Sequence, residues 1–379
     1  MIGIMTFHAA HNYGSVLQAF ATQQALERLG YKNEIINYRL INQIEFYNHF
    51  YTFFFGTEQF IRSLKRLPDH WKRSKRRDKF EDFINNRLRL TSNVFHTYEE
   101  LKQADLKYPI LISGSDQVWN KYCTAEFKKE PPESIYGYYL AFGEKSAARI
   151  AISSSFGSSK EQDLTDYVKF LDVYDEISVR EETGVDLVYN LTGKRATCTL
   201  DPTLFFSKDD WNIKGTYERK DKFVLLYTLR RRKEVQAMLK QLLQVFGKTD
   251  YKVVCIAPFS PVLVPGVENR VDCGPLDFIS YIKSAALVLT DSFHGTAFSL
   301  NLETPFYTVS YGQDKRKELL LNKVGLACRR IDALTEIGEI DPDHCFELDF
   351  TECRAALKKY REESINYIQR AVGRFYQDD

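Results

Sequence analysis

One histidine stands where an apolar run passes into a small-residue helix start, in Leu287-Val-Leu-Thr-Asp-Ser-Phe-His-Gly-Thr-Ala297. An imidazole at such a junction can move protons near neutral pH, which makes His294 the leading acid–base candidate, with Asp291 beside it. A lone histidine is more often structural, and although Asp, Ser and His together suggest a hydrolase triad, no G-x-S-x-G elbow is present. A second kind of chemistry belongs to Arg180 in Ser178-Val-Arg-Glu181, directly after a β-like pair. Its guanidinium suits bidentate binding of carboxylate or phosphate, or else a surface ion pair with Glu181 or Glu182. Arg230, Arg231 and Arg232 follow another apolar run. One of them is expected to face a ligand, and a solvated basic turn accounts for the others.

Two further segments carry neutral polar groups. Asn12, Tyr13, Gly14 and Ser15 join the first apolar run to a helix pattern. Asn12 or Ser15 can cap that helix, and free backbone N–H groups there can meet an anion or a sugar hydroxyl; a good turn and cap is the alternative. In Ile112-Ser-Gly-Ser-Asp-Gln-Val-Trp-Asn120 a carboxylate at Asp116 lies near the Trp119 indole. Acid and amides would bond sugar hydroxyls while the indole covers an apolar sugar face, unless Asp116 is a turn residue and Trp119 part of the core. His8 and His11 lack a third nearby ligand, so no metal is expected. Neither G-x-G-x-x-G after a strand nor G-x-x-x-x-G-K-[ST] occurs, which leaves dinucleotide and Walker-type nucleotide binding unsupported.

The elements that must position these residues follow from length and pattern. A chain of 379 residues predicts two domains or one large one, and 44% hydrophobic with 27% charged residues predicts an ordinary globule. Fifty-two basic against fifty-one acidic side chains argue against a nucleic-acid partner, which would need a basic excess. Seven cysteines form no C-x-x-C pair, so a reducing cytoplasmic setting is expected. The opening MIGIMTFHAAHNYG lacks signal-peptide character, and no window reaches 18 apolar residues, so neither secretion nor membrane spanning is expected.

Apolar, β-leaning runs occur at residues 2–7, 109–113, 149–153, 176–179 and 196–200, then again at 223–229, 252–257, 287–290 and 306–310. Helix-like segments or breakers follow them, which predicts parallel sheets covered by helices in two successive units. The junction is placed near residue 215, giving domains 1–214 and 215–350. An amphipathic helix is expected within 351–379, returning to the first domain. Residues 46–80 form an insertion: Phe46, Tyr47, Phe50, Tyr51, Phe53, Phe54, Phe55 and Phe60 precede a stretch with nine Lys or Arg and two Asp. Peripheral membrane contact would use rings and basic charges in this way; packing of the rings on the core is the plainer alternative.

Taken together, HNYGSVLQAFATQQAL, ISGSDQVWN, SVRE, LDPTLF and TDSFHGTAFSLN resemble, in order and spacing, the polysaccharide pyruvyl transferase family over about residues 6 to 312. The resemblance implies an α/β fold of two Rossmann-like domains facing a cleft, GT-B-like. It also implies transfer of the carboxyvinyl group of phosphoenolpyruvate to a sugar as a ketal in bacterial surface polysaccharide synthesis. No cofactor is implied; the partners are phosphoenolpyruvate and a sugar or lipid-linked oligosaccharide, met in the cytoplasm or at the inner membrane face. Catalysis falls to His294 with Asp291, donor binding to Arg180, Ser292, Phe293, Gly295 and Arg230, and acceptor binding to Asn12, Tyr13, Gly14, Asp116 and Trp119. Some members read Arg-Leu-His where this chain reads Ser292-Phe-His, which removes one expected phosphate contact. A nucleotide-sugar glycosyltransferase and a non-catalytic carbohydrate-binding protein are the competing readings.

Overall fold

The computed structural model describes residues 1–48, 69–125, 131–259, 262–310 and 315–377. Of the aromatic and basic insertion, Phe50, Tyr51, Phe53, Phe54, Phe55 and Phe60 therefore lie outside the described residues. Contacts divide the chain into two units. The first takes in Met1–His49, Glu81–Phe205 and Tyr360–Asp379, and the second takes in Phe206–Lys359 with the part of helix His70–Arg87 up to Phe80.

The first unit is built on a parallel sheet of seven strands in the order β3-β2-β1-β4-β5-β6-β7. These are β1 Ile2–Met5, β2 Asn33–Tyr38, β3 Leu90–Phe95, β4 Ile110–Ser113, β5 Ala148–Ser154, β6 Glu176–Val179 and β7 Thr197–Cys198. Central strands β1, β4 and β5 are buried along their whole length, which is why β1 and β4 read as mostly apolar runs, while β5 also carries the buried Arg149. The core gathers Trp119, Tyr139, Phe156 and Tyr174 with the apolar faces of these strands. From Tyr360 onward the helix Thr351–Gly373 belongs to this unit: its Tyr367 hydroxyl donates to Ala151 O (3.0 Å), and Ser364 Oγ accepts from Leu200 N (3.0 Å).

The second unit repeats the architecture with six parallel strands ordered β10-β9-β8-β11-β12-β13. They are β8 Phe223–Tyr227, β9 Lys252–Ile256, β10 Val267–Asn269, β11 Leu287–Thr290, β12 Phe306–Val309 and β13 Arg330–Ile331. Its core packs Val224, Leu226, Leu239, Leu242, Phe246 and Leu289.

In both sheets the order reverses beside the first strand of the unit, between β1 and β4 and between β8 and β11. Open α/β sheets bind ligands outside the carboxyl ends of strands at such a reversal. The turns that follow these four strands hold most of the chemically suited residues.

From His70 onward the basic run lies in the helix His70–Arg87, and its charges are divided. Arg73 and Arg76 are buried, Arg76 lying over the Phe80 ring at 4.6 Å, and Lys79 Nζ bonds Asp277 Oδ2 at 2.6 Å. Trp71 is 70% exposed.

Candidate functional site

At the β1/β4 reversal of the first unit, Asn12 has extended backbone and caps the helix Tyr13–Arg28, its Oδ1 accepting from Gly14 N at 3.0 Å. One turn in, Ser15 Oγ donates to Asp116 Oδ2 at 2.6 Å, and Gln117 N donates to Asp116 Oδ1 at 2.8 Å. Asp116 adopts φ 73°, a left-handed conformation rare for a residue with a side chain. These two hydrogen bonds hold the carboxylate while its backbone turns out of β4 toward Ser154. Two expected acceptor contacts fail here. Trp119 has no exposed surface, its indole stacking on Tyr139 at 5.7 Å and meeting Phe156 at 5.1 Å, so it builds the core and cannot cover a sugar. Tyr13 is buried too, at 1% exposure, because the helix turns it inward, and with Gly14 and Ser15 also buried only Asn12 keeps partial exposure on that turn.

Along the same carboxyl edge lies a buried charge network. Arg180 Nη1 donates to Asp201 Oδ2 at 2.8 Å and its Nε to Glu181 Oε1 at 3.1 Å, with 2% of the Arg180 side chain and none of the Asp201 side chain exposed. Ser155 Oγ donates to Glu181 Oε1 and Ser115 Oγ to Asp201 Oδ2, while Thr203 donates twice to Asp201 Oδ1. Burial opposes the guanidinium charge, and the carboxylates of Glu181, Asp201 and Asp116 more than offset this, keeping it protonated. The expected donor clamp is thus an internal ion pair, the alternative that Glu181 suggested, with Asp201 as the partner that spacing did not show.

A second polar chain starts at the histidines. His11 Nε2 lies 2.8 Å from Glu81 Oε1, Arg39 Nη1 donates to Glu81 Oε2 at 2.9 Å, and Arg39 Nε donates to Asn37 Oδ1 at 2.9 Å. His8 Nε2 meets the same Asn37 oxygen at 3.0 Å. Burial pushes His8 down to about 4, only partly countered by Asn37. Burial acts to raise the Glu81 carboxyl, but His11 and Arg39 together hold it down to about 2. The histidines are joined by protein partners, and the described residues contain no group of three or more His, Cys, Asp or Glu that would hold a metal ion.

The β8/β11 reversal of the second unit differs. Asp291 Oδ2 accepts from Thr228 Oγ1 (2.7 Å) and Arg230 Nε (3.1 Å), and Oδ1 accepts from Leu229 N (3.2 Å). This carboxylate joins the turns after β8 and β11 and accepts from three donors. Arg230 is the arginine of the triplet that reaches the motif, its side chain 34% exposed, while Arg231 and Arg232 are exposed. Ser292 caps the helix Phe293–Asn301, its Oγ accepting from Gly295 N at 3.4 Å. Where a basic side chain would contact an anion, this chain has a helix cap. Gly295 is required by space: an added Cβ would stand 2.2 Å from Thr290 Oγ1 and 2.8 Å from Tyr227 Cδ1. His294 lies in the first helical turn at 9% exposure, edge-on to Phe293 at 5.4 Å.

Two cations here were not legible beforehand. Lys317 has no exposed surface and donates to Asp291 O (2.7 Å) and Val309 O (2.6 Å), capping the carboxyl ends of β11 and β12. Arg76 acts on Tyr227: burial lifts that phenol well above its usual range and Asp291 adds to the rise, while Ser292 and the Arg76 charge pull it down. Lys317 sits in the ordinary amphipathic pattern KRKELLLNK and Arg76 in a basic run, so nothing in either pattern marks its burial.

The sequence profile described as polysaccharide pyruvyl transferase matches residues 12–313, most of the chain. The chain belongs to that family. No curated protein matches it. Among solved structures, a UDP-N-acetylglucosamine 2-epimerase is similar with a TM-score of 0.56 at 11% identity, covering 100% of this chain and 97% of that one. S. aureus MnaA with UDP gives 0.56 at 10%, covering 100% and 98%. The Methanocaldococcus jannaschii UDP-GlcNAc 2-epimerase, in complex with UDP-GlcNAc and UDP, gives 0.51 at 11%, covering 98% and 99%. At such identities the likeness concerns the fold: two parallel-sheet α/β units, GT-B-like. Family membership makes the protein a pyruvyl transferase of polysaccharide biosynthesis in the general sense.

Proposed function

We propose that this pyruvyl transferase takes phosphoenolpyruvate as donor and builds a ketal on two hydroxyls of one sugar residue. The donor's methylene carbon gains a proton, one sugar oxygen bonds to the adjacent carbon and gives up its proton, and phosphate leaves. A second hydroxyl then bonds to the same carbon and loses its proton, so donor and sugar diol become ketal and inorganic phosphate. The chemistry needs an acid, an anion site and a hydroxyl-orienting site. We assign the acid to His294 and the anion site to Arg230 with the start of helix Phe293–Asn301, where the helix dipole favours negative charge. Arg180 is given a supporting role, because its charge already answers Asp201 and Glu181. Asn12 and Asp116 are assigned to the sugar.

The observation that carries this reading is the family match across residues 12–313. It is tested by incubating the full chain with phosphoenolpyruvate and a panel of galactosides and N-acetylmannosaminides. Phosphate release with a product heavier by one pyruvate less water is expected. Absence of phosphate release with every sugar, together with thermal stabilisation by a nucleotide sugar and none by phosphoenolpyruvate, would overturn it in favour of glycosyl transfer.

The proposal extends to a lipid-linked acceptor met at the inner membrane face. No helix among the described residues is long and apolar enough to cross a membrane. Exposed Trp71, with Lys75 Nζ 5.4 Å from its ring, has the pairing of ring and cation that suits a headgroup layer. Flotation with anionic liposomes should fall at high salt and in Trp71→Ala; exclusion from the liposomes at every salt concentration overturns this part.

A further inference from the structure

A cavity of about 300 Å³ opens in the first unit beside Glu181, and nothing in the donor chemistry accounts for it. Its walls are the segment that follows β5, to Glu161, and one face of helix Glu182–Thr192 from Thr183 to Asn190, whose Nδ2 donates to Glu161 Oε2 at 3.3 Å. The loop is fixed tightly. Gly157 has φ 59°, and an added Cβ would stand 2.1 Å from Gln117 Oε1 and 2.5 Å from Asn120 Nδ2, so only glycine lets the loop lie on the Asp116–Asn120 turn. Ser159 Oγ donates to Asn120 Oδ1 at 3.0 Å, and Gly157 N donates to Ser155 Oγ at 3.1 Å, the hydroxyl that in turn holds Glu181 at 2.7 Å. The motif read in the sequence as a sugar contact therefore builds this wall, with Trp119 anchoring it in the core.

The lining decides the ligand class. Ser159 and Thr183 bring hydroxyls, Asn190 an amide, and Phe156 and Leu187 an apolar patch. Glu181 is answered by Arg180, which leaves Glu161 and Asp186 with Lys160 in the lining, a slight negative balance that disfavours phosphate and carboxylate ligands. At roughly 30 Å³ per water the volume equals about ten waters, which suits one sugar ring.

We propose that this cavity is a saccharide subsite for one uncharged sugar residue of the acceptor, an inference that rests on the sugar-acceptor reading above. Saturation-transfer NMR on the full chain tests it, with methyl β-galactoside, methyl N-acetyl-β-mannosaminide and methyl glucuronide as probes. At least one neutral glycoside should bind, with the glucuronide several-fold weaker. Thr183→Trp, which fills the mouth, and Asn190→Leu should each weaken binding at least tenfold at an unchanged thermal midpoint, while Tyr189→Ala on the same helix should not. No binding of any probe, preference for the glucuronide, or binding indifferent to both pocket variants overturns the subsite. Neutral binding that depends on Thr183, in a protein that releases no phosphate from phosphoenolpyruvate, would keep the subsite and retire pyruvyl transfer from that donor. Phosphate release whose acceptor KM ignores both variants would do the reverse.

Discussion

Each sheet reverses its strand order beside its first strand, yet the two carboxyl ends treat charge in opposite ways. In the first unit Arg180 is enclosed with Asp201 and Glu181, and Asp116 adds to the field on it, so carboxylates outnumber the cation they hold. In the second unit Asp291 stands among cations: Arg230 bonds it from a partly exposed position while also lying 3.9 Å from Glu234, Lys317 bonds its carbonyl, and Arg76 acts on neighbouring Tyr227. The first edge thus gathers carboxylates about one arginine and the second gathers cations about one carboxylate, and the proposed function assigns hydroxyl binding to the former and anion binding to the latter. Strand order sets where a site can form; the side chains gathered there set what it can hold.

The largest effect that sharpens this contrast is expected from His294→Ala. Positioned acid–base groups contribute about 10²- to 10⁴-fold in rate, and turnover measured as phosphate release should fall by that much with the near-UV circular dichroism unchanged. Arg180→Ala should act the other way. Removing one partner of a buried pair costs about 3–5 kcal/mol because the remaining charge is buried alone, so urea unfolding should show a large loss of stability. If Arg180→Ala were as stable as the parent and instead raised the KM for phosphoenolpyruvate, the two edges would not divide the work as drawn here.

What the sequence revealed follows from burial. Both faces of the central strands are buried, so β1, β4, β8 and β11 stand out as mostly apolar runs. Strands β2, β3, β10 and β13 do not: NEIINY and LTSNVF carry polar residues, and β10 and β13 are three and two residues long at the far edges of their sheet. At the sites, residue type located the turns but not the direction of each side chain. Asp116 and Trp119 are three positions apart, and one is a strained turn carboxylate while the other lies in the core. The partner of Arg180 is 21 positions further along, at Asp201, on the far side of another strand, a pairing that only the sheet order creates.

The first edge also carries a pH signature. His8 is held near 4 when folded against an ordinary value of 6.5, so from about pH 6.5 down to about 4 the unfolded chain takes up a proton that the folded chain refuses. Stability should fall on acidification across that window by roughly 3 kcal/mol, at about 1.4 kcal/mol for each pH unit crossed, and then level off. Glu81 works in the next window. Its carboxyl, held near 2 against 4.5, contributes stability above about pH 4.5 that is lost as the pH falls toward 2, weakened by solvent because the side chain is one-third exposed. Urea unfolding of His8→Gln between pH 7 and 2 should lose the first slope and keep the second. An unchanged first slope would mean that His8 is not the group that the folded state keeps neutral.

The smallest effect is expected at Ser15. Its hydroxyl holds one oxygen of Asp116 at 2.6 Å, and the backbone of Gln117 holds the other. Ser15→Ala should cost about 1–2 kcal/mol, the scale of a hydrogen bond to a charged acceptor with its partner left in place. The stability loss and the kinetic loss need not travel together. If Asp116 orients a sugar hydroxyl, freeing one of its oxygens should raise the acceptor KM while the KM for phosphoenolpyruvate holds. If both constants hold and only stability drops, the carboxylate is a turn residue, and hydroxyl recognition at the first edge passes to Asn12 and the cavity beside Glu181.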